Sequence, residues 1–209
     1  DSARCRGLST STDIMLIMLN MTMRTGLVVI TLLITSFPVF SQSESPPKKT
    51  PADVMREIRL KVLTTPPSQM SRKPTLEYPH VDGIIMDWWL QDTILSVMAS
   101  SAGDGSIYTT GDFGVFGGVK YDNVRNAAKS FVKLAEKYYS DASPTKEYPY
   151  PLSGHVRFYL ICYDGVRMID VDAISLSSGK SDCWDLVAEA QKEVSALRQI
   201  AQDQPKEAR

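Results

Sequence analysis

Histidine and cysteine are scarce in this chain of 209 residues, which holds two and three of them. With only His80 and His155, few routes lead to a zinc site or to a histidine acid–base pair. No stretch reads H-E-x-x-H, G-x-S-x-G, C-x-x-C or G-x-G-x-x-G. Zincin, hydrolase-elbow, thioredoxin and dinucleotide-binding chemistries are therefore not signalled. Neither sign of charge is in excess, with 23 Lys+Arg against 24 Asp+Glu. Binding nucleic acid by bulk charge needs basic residues to displace counterions, so that class is disfavoured. Pro and Gly number 12 each, too few for a fibrous or wholly disordered chain.

What the chain does have is ordinary globular composition, 43% hydrophobic and 22% charged. Residues 25–37 form a short, uncharged apolar run preceded by Arg24. Val39 and Ser41 follow with the small-residue pattern of a signal-peptidase site, so a secretory leader cut after Ser41 is expected. The run falls short of the roughly 20 apolar residues of a membrane span. An uncleaved anchor that also uses Met15–Leu19 is the alternative, although Asn20 and Arg24 interrupt it. The expected localisation is secreted or periplasmic, in a protein of bacterial type. The expected organisation is upstream residues and leader over 1–41, a Ser/Pro/Lys linker over 42–49, a single α+β domain over 50–202 and a polar tail over 203–209. An oxidising compartment permits a Cys162–Cys183 disulfide; two buried free thiols are the alternative.

Periodicity and turn residues place the elements. Thr50 can cap a helix with Pro51 in its first turn and Asp53 closing a capping box, and Val54, Met55, Ile58 and Val62 recur at helical spacing up to Leu63. Strands are predicted over Val81–Leu90, Thr93–Ser101 and Ser106–Thr110, with turns at Gln91-Asp92 and Gly103-Asp104-Gly105. A Gly-rich run, 111–118, leads to a helix capped by Asp122 or Asn123. His155–Tyr163 and Val166–Ala173 read as a hairpin closed by Asp164-Gly165 in a type I′ turn. That register sets Leu160 opposite Ile169, Ile161 opposite Met168, Tyr159 opposite Asp170 and Arg157 opposite Asp172. A last helix is capped by Ser181 or Asp182. The predicted fold class is α+β: a mainly antiparallel five-stranded sheet with flanking helices in two layers.

This order of elements over 50–200 resembles the profilin-like modules of the roadblock and longin type, which also flank about five antiparallel strands with helices. The strands here split three and two, where those modules split two and three. The resemblance implies dimerisation and scaffolding of partners. Asp104-Gly105-Ser106-Ile107-Tyr108 and the Val156-Arg157-Phe158-Tyr159 core within Gly154–Gly165 also look like an uncharacterised bacterial domain family, which implies no activity.

Each chemical candidate has a plain structural reading beside it. Ser178-Gly179-Lys180-Ser181 resembles the end of a phosphate loop, but Ile174 stands where its first glycine belongs, so a turn and helix cap is favoured. The 111–118 glycines could approach an anion, yet Phe113, Val115 and Phe116 interleave with them as in a packed loop. Asp170 and Asp172 share a sheet face, but Arg157 can neutralise one of them. Ser153 and His155 lack an elbow or oxyanion motif. Trp88 and Trp89 must point to opposite faces of their strand.

No catalytic residue, metal ligand or cofactor is assigned. The leading expectation is a non-catalytic interaction domain that binds a protein partner or a second copy of itself, with no nucleic acid, and a membrane only through an uncleaved leader. Its working face would hold Arg157, Tyr159, Ile161, Tyr163 and Met168. The alternative is a small-ligand binder or enzyme using Asp104, Tyr108, Gly111, Gly114 and His155 around the Gly-rich loop.

Overall fold

A computed structural model describes residues 49–111, 113–178 and 181–203. The leader, most of the linker, all but the first residue of the polar tail, and Gly179 and Lys180 of the phosphate-loop candidate lie outside the described residues. The chain from Lys49 onward forms one compact unit.

Helix α1 spans Pro51–Thr64. It starts where the sequence predicts: the Thr50 hydroxyl accepts the Asp53 N–H, and the Asp53 carboxylate accepts the Thr50 N–H, both at 3.2 Å. Three strands follow, β1 (Val81–Leu90), β2 (Thr93–Ser100) and β3 (Gly105–Thr109). Leu90 pairs with Thr93, so Gln91-Asp92 is the turn. The two-residue β4 (Gly114–Val115) folds back on β3. Helix α2 (Asp122–Ala135) and the three-residue β5 (Ser143–Thr145) come next, then β6 (His155–Cys162) and β7 (Gly165–Asp172). Short α3 (Ala173–Ser177) and long α4 (Trp184–Asp203) complete the described elements.

The α+β class with one antiparallel sheet holds. The sheet has seven strands, not five, in the order β4-β3-β2-β1-β6-β7-β5. The two extra strands are the short edges β4 and β5, drawn from the Gly-rich and Pro-containing loops. Such short runs carry no periodic signal, and brevity blunts a sheet edge against pairing with other chains.

Side chains alternate across the sheet. On the first face Ile84, Met86, Val97, Ile107, Phe158 and Leu160 pack against Val124, Phe131 and Val132 of α2 and Leu186, Val187 and Leu197 of α4. On the second face Leu63 of α1 packs on Ile85, Tyr159 and Ile161. The two-layer expectation is therefore corrected: helices lie on both faces. Trp88 belongs to the first-face core at half burial, and Trp89 is half-buried on the second face.

The hairpin register is also corrected. Cys162 pairs with Gly165 and Arg157 with Asp170, a shift of two residues that leaves the faces unchanged. Gly165 has φ +134°, while Tyr163 and Asp164 do not enter the positive-φ region that a type I′ turn requires of its two central residues. Tertiary contacts fix the turn instead. Asp164 accepts from the Tyr139 hydroxyl at 2.7 Å and from Arg167 at 3.1 Å, and the Tyr163 N–H donates to the His80 carbonyl. Asp172, freed from Arg157, caps α3 by accepting the Ser175 N–H at 2.9 Å. The predicted cap of α2 differs as well: Tyr121 precedes it without a side-chain cap bond. Helix α4 begins at Trp184, and just ahead of it the Ser181 hydroxyl accepts the Cys183 N–H at 3.2 Å.

No disulfide forms between Cys162 and Cys183; both are buried free thiols within the first-face core. Burial pushes the Cys162 thiol up to about 12, so it behaves as a small hydrophobe.

Candidate functional site: a polar row beneath a helix

Five polar side chains stand in line across five adjacent strands of the second face. Tyr108 of β3 is registered with Ser96 of β2, Ser96 with Asp87 of β1, Asp87 with Arg157 of β6, and Arg157 with Asp170 of β7. The neighbouring row is mostly apolar: Met98, Ile85, Tyr159 and Met168.

Asp87 is the centre of the row and has no solvent exposure. A buried carboxylate needs a charge partner and hydrogen bonds, and α1 delivers both. Arg59, 1% exposed, donates to one Asp87 oxygen through Nε at 2.8 Å and Nη2 at 2.6 Å. The Ser96 hydroxyl donates to the other oxygen at 2.5 Å. Arg59 Nη1 donates to the Tyr148 carbonyl at 2.8 Å. The guanidinium lies 4.3 Å from the centre of the Tyr150 ring and 5.1 Å from that of Tyr159, within cation–π range.

Burial works against the charge on Arg59, but Asp87 outweighs it and holds the guanidinium's pKa above its ordinary value. Burial also raises the Asp87 pKa, opposed by Arg59, Ser96 and Arg157. Arginine keeps its proton in proteins, and Arg59 and Ser96 aim three donor groups at the two Asp87 oxygens, an arrangement that suits an acceptor-only carboxylate. At the end of the row, burial and then the Asp87 charge push the Tyr108 phenol far up, leaving it a neutral hydroxyl.

The roof beside α1 is the Tyr148-Pro149-Tyr150 segment. Arg157 Nη1 donates to the Pro149 and Tyr150 carbonyls at 3.1 Å, and the Tyr159 hydroxyl donates to the Pro149 carbonyl. The other Arg157 amine pairs with Asp170, which also meets His155 Nδ1 at 3.1 Å.

The face expected to be free for interaction is thus roofed within the chain. Tyr159 is buried, Ile161 is 5% and Arg157 7% exposed, and Tyr163 and Met168 are half-buried. The five ligand-binding candidates do not meet. Tyr108 and Gly114 are paired neighbours, and Phe116 stacks on Tyr108 at 6.1 Å. Gly111 lies in the tight return where Thr109 N–H bonds the Phe113 carbonyl. Asp104 is bound at the β2–β3 turn by Arg72 and Ser100. His155 sits three strands away from Tyr108 and meets the row at Asp170. Among the described residues no group of three or more His, Cys, Asp or Glu could hold a metal ion, and no helix is long and apolar enough to cross a membrane. Two open grooves, of about 450 Å³ between α2 and α4 and about 540 Å³ beside Arg72 and Tyr163, lie apart from the row.

The sequence reading missed Asp87 itself, with Arg59, Ser96, Tyr148 and Tyr150, as site residues. One signal was available. Asp87 stands inside an otherwise apolar strand, where a charge implies a buried partner, and Arg59 lies on the same helix face as Met55, Ile58 and Val62.

No protein-family model, curated protein or solved structure matches this chain.

Proposed function

We propose that this is a secreted or periplasmic, non-catalytic interaction domain that binds a protein partner or a second copy of itself. The observation that carries this reading is the chemistry of the second face. Tyrosines and arginines concentrate there around an apolar floor, the residue types enriched at the centres of protein interfaces. Helix α1, through Arg59 and Leu63, and the Tyr148-Pro149-Tyr150 segment cover them within the chain. The export reading rests on the apolar run 25–37 and on Val39 and Ser41.

Native mass spectrometry of the chain expressed with its own leader tests the function. The expected result is a dimer, or a complex with another polypeptide, carrying no small-molecule mass. A monomer that retains a stoichiometric small molecule until denatured would contradict it and favour ligand binding.

A further inference from the structure

We propose that the groove beside Arg72 and Tyr163 captures the chain end of a protein partner, with the terminal carboxylate held by Lys73 and Tyr78 and an apolar last side chain set against Leu76. The inference deepens the interaction reading, rests on it, and names the chemistry of the partner.

The wall of the groove is fixed from beneath. The connection between α1 and β1 is anchored by Pro67 and Tyr78, both buried. Arg72 donates to Asp82 of β1, 1% exposed, through Nη1 at 2.9 Å, and to Asp104 through Nη2 at 3.5 Å. The other Asp82 oxygen accepts the Ser101 hydroxyl at 2.7 Å and the Tyr163 hydroxyl at 3.5 Å. Arg72, Ser101 and Tyr163 are thus satisfied within the chain and form a preorganised wall. The groove they line has a volume of about 540 Å³, which suits a ligand larger than a free ion.

Two donors in the same lining are left over. Lys73 is exposed and has no hydrogen-bond or ion-pair partner among the described residues. Tyr78 is 6% exposed, and its hydroxyl makes no well-formed hydrogen bond, although the Glu77 carboxylate stands close to it. Burial, and then that carboxylate, push the phenol up to about 12, so it stays a neutral donor. An ammonium and a phenol are satisfied together by an acceptor-only group, which a carboxylate is. Glu77 lines the groove as well, and it meets Lys133 at 3.4 Å. Leu76, also in the lining, is fully exposed. A chain end carries a carboxylate and a side chain on one carbon, so a single residue can answer Lys73, Tyr78 and Leu76. Capture of a terminal carboxylate is a recurring mode of peptide recognition.

The test uses the chain expressed with its own leader and, as probe, a labelled hexapeptide of glycine and serine that ends in leucine. By fluorescence anisotropy, the form with a free carboxylate should bind at least tenfold more tightly than its C-terminal amide; equal binding overturns the proposal. Lys73→Gln, at an exposed position, should weaken the free-carboxylate peptide at least fivefold. Glu77→Gln, which removes a like charge, should tighten it at least twofold. Binding that responds to neither change overturns the groove as the site. Tyr78→Phe should weaken the peptide at least threefold, and should that variant not fold, the two surface variants decide. The small acid 4-methylpentanoate should compete at least tenfold less well than the unlabelled peptide; equal competition overturns the chain end in favour of a free carboxylate. A dimer or polypeptide complex that native mass spectrometry finds unchanged in Lys73→Gln, with no peptide bound, would sink the groove and leave the interaction reading standing.

Discussion

A carboxylate without solvent exposure, flanked in sequence by Met86 and Trp88, is costly unless it is paired, and Asp87 meets that demand through Arg59 and Ser96. Removing one partner leaves the other charge buried and alone. Asp87→Asn should therefore lower unfolding stability by about 3–5 kcal/mol, measured by urea denaturation. The double change Asp87→Leu with Arg59→Met should cost far less. Glu193 is the opposite case. It is fully buried on α4, and neither carboxyl oxygen makes a well-formed hydrogen bond, although the Ser106 backbone stands close enough to oppose the effect of burial. Burial raises its pKa well above its ordinary value of 4.5. The folded state then penalises ionisation once the unfolded chain begins to ionise. Its effect on stability is nil well below pH 4.5, turns unfavourable as pH rises through that value, and levels off above the folded pKa. Glu193→Gln should thus be more stable than wild type at pH 7 and no more stable about one pH unit below the ordinary carboxyl pKa, read from denaturation curves at the two values. Asp53, Asp164 and Asp172 work the other way. The Thr50 hydroxyl, the Tyr139 hydroxyl and the Ser175 backbone lower their pKa values, so their contribution is lost as pH falls. Comparing variant with wild type at each pH isolates Glu193 from them. The thiols give a residue-scale check on the core: Cys162 and Cys183 should react with a thiol reagent only after unfolding.

At the scale of elements, the long periodic segments are legible in the sequence and the connections are not. The α1 capping box and the bounds of β1 follow from local chemistry, because Thr50, Asp53 and an unbroken apolar run act within a few residues. The β6–β7 faces are also legible, since a shift of two residues preserves alternation. The turn is not, because the Tyr139 hydroxyl and the His80 carbonyl hold it from outside the hairpin, with Arg167 of β7 joining them at Asp164. Gly165 shows how the turn is held. At φ +134° an added Cβ meets nothing within 4 Å, so Gly165→Ala would carry strain without a clash. It should cost about 1–3 kcal/mol in thermal or urea unfolding while leaving α4 packing intact. Gly105 differs. A Cβ there would stand 2.5 Å from Glu193 Oε1 and 2.9 Å from Val124. Gly105→Ala should destabilise by about 1–3 kcal/mol through overpacking, and pairing it with Glu193→Ala should recover part of that loss.

For the whole molecule, the sequence indicates the α+β class and the antiparallel sheet but not the third layer. The amphipathic pattern of α1 says that the helix packs, not on which face, and Arg59 on its packed side weakens the pattern. Tyr148 and Tyr150 escape notice because they sit among prolines, where no periodicity orders them. The candidate site is therefore visible only as its sheet half, through Tyr108, Arg157 and Tyr159. Its other half comes from α1 and the 148–150 segment, brought over the sheet by long-range contacts. The central claim is that the second face of the sheet is an interaction face that α1 covers from within the chain. Native-state hydrogen exchange of the full chain tests it most directly. If α1 is such a cover, amides of 51–64 open together, at a free energy well below that of β1 and β6. Equal protection of α1 and β1 would show the helix locked into the global fold, and would contradict the claim.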